Sequence, residues 1–389
     1  MTGATLPSLP TDLYAAFGVE RFDIDSLMTF DFAEIVLSNF KTVTIAGVTI
    51  DIPENVAIPP GQIYPTIDYF VTILEPPKTT DLFAIGGSFT AQEMLNLLNS
   101  SPTLSKFVFG MLGIIHEDKA GIRRNINVQG DLSGQNVSLT HELVETMTIK
   151  VKNHLGNGLE TVTFPVMYDD EGTRFYPTDF EPVCHPSQSN CNDTNGTVTV
   201  HTTTVNNTGV YSNLLYGAVV TTADLDNSKN EKSVILKRNA ERNGTVTFDD
   251  FLRPTASMRE INDVFTFESA KNEEISPPSP DPSFYDAEIF KIEILENPDT
   301  GSNELVNNLM WIFRIPGDRV RFELPRLPTP EEAGGPVPDP IPSGGEAYLW
   351  RMRASALTEG DPFDFNDYAF DSYRLRVTHT SVNSVSFFH

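Results

Sequence analysis

Two loops of the sequence carry enough side-chain oxygens to bind a calcium ion. Read from Asn239, the stretch NAERNGTVTFDD matches much of an EF-hand loop, with Gly244 at the sixth position. The candidate ligands in this loop are Asn239, Glu241, Asn243 and Asp250. A second group of carboxylates stands in GDPFDFNDYAFDSY, at Asp361, Asp364, Asp367 and Asp371. Calcium is the candidate cofactor because it accepts irregular cages of oxygen ligands; for the second group the alternative is a solvated acidic loop.

The stretch around Asn243 also has two other interpretations. Asn243-Gly244-Thr245 is a glycosylation sequon, and strand-like runs on both sides of Asn243-Gly244 indicate a β-hairpin. An EF-hand requires helices on both sides of the loop, so the hairpin is the favoured interpretation. The candidate glycosylation sites of the chain are Asn136, Asn192, Asn195, Asn206 and Asn243.

The two cysteines, Cys184 and Cys191, enclose the short loop HPSQSN. A disulfide between them would close a surface loop and would indicate an oxidising compartment. Two free thiols are the alternative, and the spacing matches no zinc pattern. The disulfide is the favoured interpretation because it accounts for both cysteines together.

No catalytic motif is present in the sequence. HELVE begins like a zincin helix at His141, but Glu145 stands where the second histidine is required. The sequence has no Gly-x-Ser-x-Gly elbow and no P-loop. We therefore predict no catalytic residues and no enzymatic activity, although the separation of a pair among the 53 acidic residues is a three-dimensional property.

The composition limits the choice of partners. The net charge of -26 repels nucleic acid and anionic lipid, so we expect neither as a partner. The longest apolar run, residues 104–115, is well short of the ~20 residues of a membrane helix. The first residues have neither the basic nor the apolar region of a signal peptide, so we expect a leader to be either absent or already removed.

Hydrophobic periodicity predicts a mainly β protein, with tandem β-sandwich-like domains and one or two helices in the N-terminal third. Residues 40–53 and residues 147–168 are each predicted to form a hairpin. Thr90 and Glu93 have the spacing of a capping box, which predicts a helix at 90–100. The predicted segments are an extended arm (1–25), a mixed β domain (26–125), a β-sandwich-like domain (126–270), a proline-rich linker (271–283) and a C-terminal β domain (284–389).

The last third of the chain contains RFELPRLP at 321–328, a Pro/Gly stretch after it, and the strand AYLWRMRASA at 347–356. In these residues the C-terminal domain resembles a bacterial fibronectin type III-like domain. It implies an immunoglobulin-like sandwich in which Tyr348 is the tyrosine-corner residue. Trp350, Met352 and Ala354 are expected on one face of their strand, opposite Arg351 and Arg353. The family has no intrinsic catalytic residues and serves as a spacer, adhesion or recognition module.

These observations predict a non-enzymatic structural or adhesive protein of a cell surface or extracellular assembly. Its partners would be other proteins or copies of itself, and glycans are a further candidate. One alternative is a virion structural protein, such as a fibre or decoration subunit. The other is a glycan-binding or glycan-active protein.

Overall fold

The computed structural model describes strands over most of the chain and groups them into two compact units. Unit 1 comprises Met1–Asn227 and Leu236–Phe248, and unit 2 comprises Ser228–Ile235 and Asp249–His389. The residues that it describes are 12–20, 40–45, 48–53, 78–90, 93, 96–97, 110, 113–129, 136–153, 160–169, 174–184, 195–205, 209–223, 231–261, 263–296, 303–324, 346–358, 363–364 and 376–388.

The protein is mainly β, as predicted. The first strands are β1 (Asp12–Glu20), β2 (Phe40–Ile45), β3 (Val48–Pro53), β4 (Lys78–Thr90), β5 (His116–Val128), β6 (His141–Glu142), β7 (Glu145–Val151), β8 (Glu160–Asp169), β9 (Phe175–Pro177), β10 (Glu181–Cys184), β11 (Gly196–Thr202) and β12 (Leu214–Ala223). The later strands are β13 (Lys232–Lys237), β14 (Thr245–Phe248), β15 (Arg259–Ile261), β16 (Val264–Thr266), β17 (Phe284–Glu296), β18 (Asn303–Pro316), β19 (Arg321–Glu323), β20 (Ala347–Leu357) and β21 (Val377–Phe388).

The described residues of unit 1 form three sheets of three or more strands and one hairpin. The β5 sheet has the order β1-β4-β5-β6, the β7 sheet has the order β11-β7-β14, and the β8 sheet has the order β10-β8-β12 with β9 also on β8. Phe83 and Ile122 of the β5 sheet pack with Met167 and Tyr176 of the β8 sheet in one buried core. The hairpin β2-β3 pairs Ile45 with Val48, which confirms the hairpin predicted at 40–53.

The hairpin predicted at 147–168 is wrong. β7 pairs with β11 and with β14, whereas β8 pairs with β9, β10 and β12. Residues 154–159 between them lie outside the described part. Alternation and β-branched residues identify each strand, but they do not specify its partner, because pairing depends on tertiary packing.

Unit 2 contains two sheets around one core. The β17 sheet has the order β13-β21-β20-β17-β18, and the β16 sheet has the order β15-β16-β19. β13 contributes Lys232–Ile235 to unit 2, where these residues pair with β21. Trp350 is fully buried between the two sheets, against Phe265 of β16 and Phe322 of β19.

Along β20, buried Trp350, Met352 and Ala354 alternate with partly exposed Arg351 and Arg353, as predicted.

The two units divide the chain differently from the predicted segments. Residues 271–283, predicted as a linker, lie within unit 2. The Asn272 N–H donates to the Ser279 hydroxyl at 2.7 Å, and Ser279 is buried. The proline and charged residues of this segment are typical of a linker. In the structure, however, Asn272 and Ser279 bond to each other within unit 2. The strand β16, which precedes this segment, contributes Phe265 to the same core as β17 and β20.

The helix predicted at 90–100 lies mostly outside the described residues, of which Glu93, Asn96 and Leu97 are helical. Its capping box is present. The Thr90 N–H donates to Glu93 Oε2 at 2.8 Å, and the Glu93 N–H donates to the Thr90 hydroxyl at 3.1 Å.

Candidate functional site

Three sheets of unit 1 converge on a cluster of carboxyl and imidazole groups. Glu117 comes from β5, Asp179 from the segment between β9 and β10, Glu181 from β10, and His201 from β11. We call these four residues the carboxyl–imidazole cluster. Alternation along β5 turns the Glu117 side chain inward while His116 stays exposed, because successive residues of a strand face opposite sides.

Gly87 on β4 allows the close approach of β5 at the cluster. It pairs with Glu117, next to a register shift between Gly86 and Gly87. A Cβ atom at position 87 would lie 2.3 Å from the carbonyl oxygen of His116 and 2.7 Å from the Cα of Glu117. Both atoms belong to the backbone, so a side chain here would force the two strands apart.

Asp179 is the centre of the cluster, and its side chain is fully buried. Its Oδ1 accepts a hydrogen bond from the Phe180 N–H at 2.7 Å. Its Oδ2 accepts from the backbone N–H of His201 and lies 3.1 Å from the Nδ1 of the same residue. The hydrogen bond to Asp179 raises the pKa of His201, and burial of the ring opposes this. The Asp179 carboxylate is thereby stabilised by donors from two elements.

Two other carboxyl groups face Asp179, and both are disposed to hold a proton. Burial raises the pKa of Glu117 well above its usual value, and the charge of Asp179 and a hydrogen bond with its carboxyl group act in the same direction. Burial and the charge of Asp179 raise the pKa of Glu181 to about 7, while His116 and His201 oppose this. Two carboxyl groups can share a hydrogen bond only when one of them is protonated. Burial and the charge of Asp179 therefore favour the protonated forms of Glu117 and Glu181 in the cluster.

The rim of the cluster is formed by a second imidazole–carboxylate pair. His116 Nε2 lies 3.1 Å from Glu93 Oε1, and the His116 side chain is 63 % exposed. Burial of Glu93 acts to raise its pKa, but hydrogen bonds from Thr90 and His116 hold it below the usual value. Glu93 is the same residue that closes the capping box, so one carboxylate serves both the helix start and the rim.

The geometry of the cluster does not suit glycoside hydrolysis or metal binding. Catalytic carboxyl pairs of glycosidases stand about 5 Å or more apart around a substrate. Here the Glu117 and Asp179 carboxyl groups are hydrogen-bonded to each other, and both residues are buried. Within the described ranges, no three His, Cys, Asp or Glu side chains form a group that could hold a metal ion. What this arrangement can do chemically is to take up and release protons.

A second buried network surrounds Asp81 of β4, a strand of the β5 sheet. Asp81 is 1 % exposed and sits at a register shift between β4 and β5. Its carboxylate accepts from the Tyr176 hydroxyl at 2.7 Å and from the Asn125 N–H at 2.7 Å, and it lies 3.5 Å from Arg174 Nη1. Burial and the Asp81 charge raise the pKa of Tyr176. The guanidinium of Arg124 stacks 5.6 Å from the Tyr176 ring. This network pins the irregular pairing of β4 and β5.

In unit 2 the strand β18 is an edge strand with exposed apolar side chains. It is 14 residues long and lies at the end of the β17 sheet, where it pairs with β17 and with no other described strand. Leu309 is 50 % exposed and Ile312 is 58 % exposed. Between residues 307 and 316, Arg314 is the one charged residue, and it forms a two-point ion pair with Asp286 at 2.6 and 3.2 Å.

The structure gives the predicted EF-hand ligands separate partners. The Asn239 N–H donates to the Tyr168 hydroxyl at 2.9 Å, and the Asn243 amide donates to Glu145 Oε2 at 2.9 Å. Asp250 Oδ2 lies 3.2 Å from His379 Nε2. Glu241 is exposed, and its backbone oxygen accepts from the Gly244 N–H at 3.0 Å. Calcium binding by this loop stays a prediction.

The hairpin predicted around Asn243-Gly244 is wrong. β13 pairs with β21, and β14 pairs with β7 in parallel. Asn239 and Asn243 both adopt positive φ, at 57°. These two left-handed residues turn the chain between β13 and β14 without returning it along the same strand.

The other predicted sites are described in part. Of the acidic loop Asp361, Asp364, Asp367 and Asp371, only Asp364 lies within the described residues. Cys191 and the side chain of Cys184 lie outside them, so the disulfide stays a prediction. Among the candidate glycosylation sites, Asn192 and Asn206 also lie outside, while Asn136, Asn195 and Asn243 are exposed.

Asn195 and Asn243, two of the exposed candidate glycosylation sites, differ in the hydrogen bonds that their side chains form. The Asn195 side-chain oxygen accepts from the Asn153 N–H at 3.3 Å. The amide nitrogen of Asn243, the atom to which a glycan would be attached, donates to Glu145. Glu145 also accepts from the Thr204 hydroxyl at 3.0 Å. Hydrogen bonds from Asn243 and Thr204 hold the pKa of Glu145 below its usual value.

Comparison with known proteins identifies no relative: no family model, no curated protein and no solved structure matches the chain. Among the residues described, no helix has the length and apolar character needed to cross a membrane.

Sequence reasoning did not find the carboxyl–imidazole cluster. His116-Glu117-Asp118 reads as a polar turn after an apolar run, whereas the structure makes it the start of β5. Asp179 and Glu181 carry no motif, and their partners lie far away along the chain. The one local signal is the alternation of Asp179, Phe180 and Glu181, which places both acids on the same side of an extended segment.

Proposed function

We propose that the protein is a non-enzymatic structural or adhesive component of a cell surface or extracellular assembly. The observation that carries this proposal is the strand order of unit 2. Counted from β15, the first, second and fifth strands, which are β15, β16 and β19, form one sheet. The third, sixth and seventh strands, which are β17, β20 and β21, form the other, and the fourth strand, β18, pairs with β17.

This order supports an immunoglobulin-like sandwich as the fold of unit 2. In such domains strands A, B and E share one sheet and strands C, F and G share the other. A fourth strand beside C, as in β18 beside β17, occurs in the variable-type arrangement. β13, which pairs with β21, is an additional strand. The order supports the resemblance to fibronectin type III-like domains, and on this proposal the domain includes β15 and β16.

The core of unit 2 supports the same proposal. Trp350 of β20 packs edge-on against Phe265, at 5.0 Å between ring centroids, and against Phe322, at 5.7 Å. The Tyr285 hydroxyl accepts from the Ala270 N–H at 3.1 Å, which ties the segment after β16 to β17. The Tyr348 hydroxyl donates to Glu346 Oε2 at 3.1 Å, an interaction that the tyrosine-corner prediction did not include.

The edge strand β18 is the surface that we assign to assembly, with a second copy of the chain as its partner. A long, uncovered edge presents unpaired backbone donors and acceptors, and natural proteins usually protect such edges with charges. Two copies that each carry a net charge of -26 repel each other over most of their surface. β18 is compatible with close approach because its one charge between residues 307 and 316 is neutralised by Asp286.

Sedimentation of the full chain at low and high protein concentration tests this proposal. We expect the wild-type chain to associate and the variant Ile312→Lys to remain monomeric, because a charge on the edge opposes pairing. Ile261→Lys is the matched control, since Ile261 is also exposed, at 65 %, but lies on β15. Equal association of both variants would refute the assignment to β18. Hydrolysis of any substrate in a glycan panel would contradict the non-enzymatic part of the proposal.

A further inference from the structure

The carboxyl–imidazole cluster lies at the junction of the three sheets of unit 1. Asp179 and Glu181 belong to the chain between β9 and the end of β10, on the β8 sheet. Asp179 bonds to His201 of the β7 sheet and to Glu117 of the β5 sheet. A further bond strengthens the first contact: the Thr178 hydroxyl donates to the His201 carbonyl oxygen at 2.9 Å. The cluster therefore joins elements that are distant along the chain.

The charges at this junction balance only when protons are present. Three carboxyl groups face one another, and the cationic groups that act on them are His201 and His116. His116 is also engaged by Glu93 at the rim. If Glu117 and Glu181 both lost their protons, three negative charges would stand against at most two imidazoles in a largely buried space. Like charges that are held close together repel strongly where water is excluded.

We propose that Glu117, Asp179, Glu181 and His201 form a proton-dependent lock that holds the three sheets of unit 1 together in acidic and neutral solution and loosens in alkaline solution. The lock belongs to unit 1, and it does not rest on the assembly proposed for β18. The contribution of this cluster to stability has a pH dependence opposite to that of paired carboxylates with lowered pKa values, whose protonation causes acid unfolding.

The sign of the effect follows from linkage. The pKa values of Glu117 and Glu181 are raised in the folded chain, so between about pH 4.5 and pH 7 the folded state binds more protons than the unfolded state. The stability that these two carboxyl groups contribute is fully present below their pKa in the unfolded chain. It is lost as the pH rises through their pKa in the folded chain, which is about 7 for Glu181. The raised pKa of His201 acts in the same direction above pH 6.5.

Proton uptake on folding is the direct test. The full chain, unfolded in urea, is refolded by dilution in unbuffered solution at pH 6.5, and the acid needed to hold the pH constant is measured. We expect net proton uptake on folding, because the pKa values of Glu117 and Glu181 are both higher in the folded chain than in the unfolded chain. Glu117→Gln and Glu181→Gln should each lower this uptake. Glu142→Gln, an exposed carboxyl on β6, should leave it unchanged.

Thermal unfolding between pH 5 and pH 8.5 gives a second readout. The wild-type midpoint for unit 1 should fall by several degrees over this range, and each glutamine variant should show a shallower fall. Glutamine has the shape of the protonated acid, so both variants preserve the packing of the protonated cluster. Glu181 is less buried than Glu117. Glu181→Gln therefore still tests the proposal if Glu117→Gln does not fold. Proton release on folding, or unchanged uptake and an unchanged pH slope in the folded variants, would overturn the proposal.

Discussion

Replacement of Asp81 by alanine should destabilise unit 1 more than any other single change in its polar network. The carboxylate is 1 % exposed and accepts hydrogen bonds of 2.7 Å from both Tyr176 and Asn125. Its removal leaves two donors without this acceptor, at about 1–3 kcal/mol each. The Arg174 pair adds little, because the Arg174 side chain is 30 % exposed and water can replace its partner. We therefore expect a loss of about 3–5 kcal/mol in the free energy of unfolding.

Two further variants separate the parts of this effect. Asp81→Asn keeps an acceptor for the Asn125 N–H, and Tyr176→Phe removes one donor, so each should cost about 1–2 kcal/mol. The double variant Asp81→Ala/Tyr176→Phe should be less destabilised than the sum of its single changes, by about 0.5–3 kcal/mol, because the two groups are in contact.

Urea unfolding followed by tyrosine fluorescence and circular dichroism measures these free energies. A loss below about 0.5 kcal/mol for Asp81→Ala, which is typical of a surface substitution, would refute the reasoning. So would strict additivity in the double variant. Either result would mean that the network does not hold the irregular pairing of β4 and β5.

Three other changes have defined outcomes. Gly87→Ala should destabilise unit 1 by about 1–3 kcal/mol in urea unfolding, because its Cβ meets the His116 carbonyl oxygen; a neutral result would contradict the close approach. Trp350→Ala should cost about 3–5 kcal/mol in the unfolding of unit 2 by removing its largest fully buried side chain, and a loss under 1 kcal/mol would contradict the proposed core. If the loop at Asn239 binds calcium, calcium should raise the melting midpoint of the wild-type chain but not that of Asp250→Ala, and equal midpoints with and without calcium would sink that prediction.

The sequence predicts the elements whose determinants are local. The two strands of the hairpin at 40–53 are separated by only two residues in the sequence, so their pairing follows from proximity. The capping box needs only Thr90 and Glu93, which stand three residues apart. The alternation of β20 also follows from period alone, since one face of the strand is buried in the core of unit 2.

Pairing between distant strands and the candidate site cannot be predicted in this way. β7 and β14 pair in parallel, although nearly a hundred residues separate Thr148 from its partner Thr245. The cluster has the same origin, because Glu117 and Asp179 become neighbours only when the sheets of unit 1 pack. A single sequence gives no signal for such a contact. The strand order of unit 2 was likewise beyond a local pattern, since its first two strands precede a segment that has the composition of a linker.

The most direct test of the proposed function is electron microscopy of the purified full chain beside the Ile312→Lys variant at the same concentration. The account predicts that the wild-type chain forms particles of at least two copies, because pairing of β18 across a two-fold axis closes a dimer. The variant should appear as single copies, and Ile261→Lys should resemble the wild type. Single copies of the wild-type chain at high concentration would contradict the account.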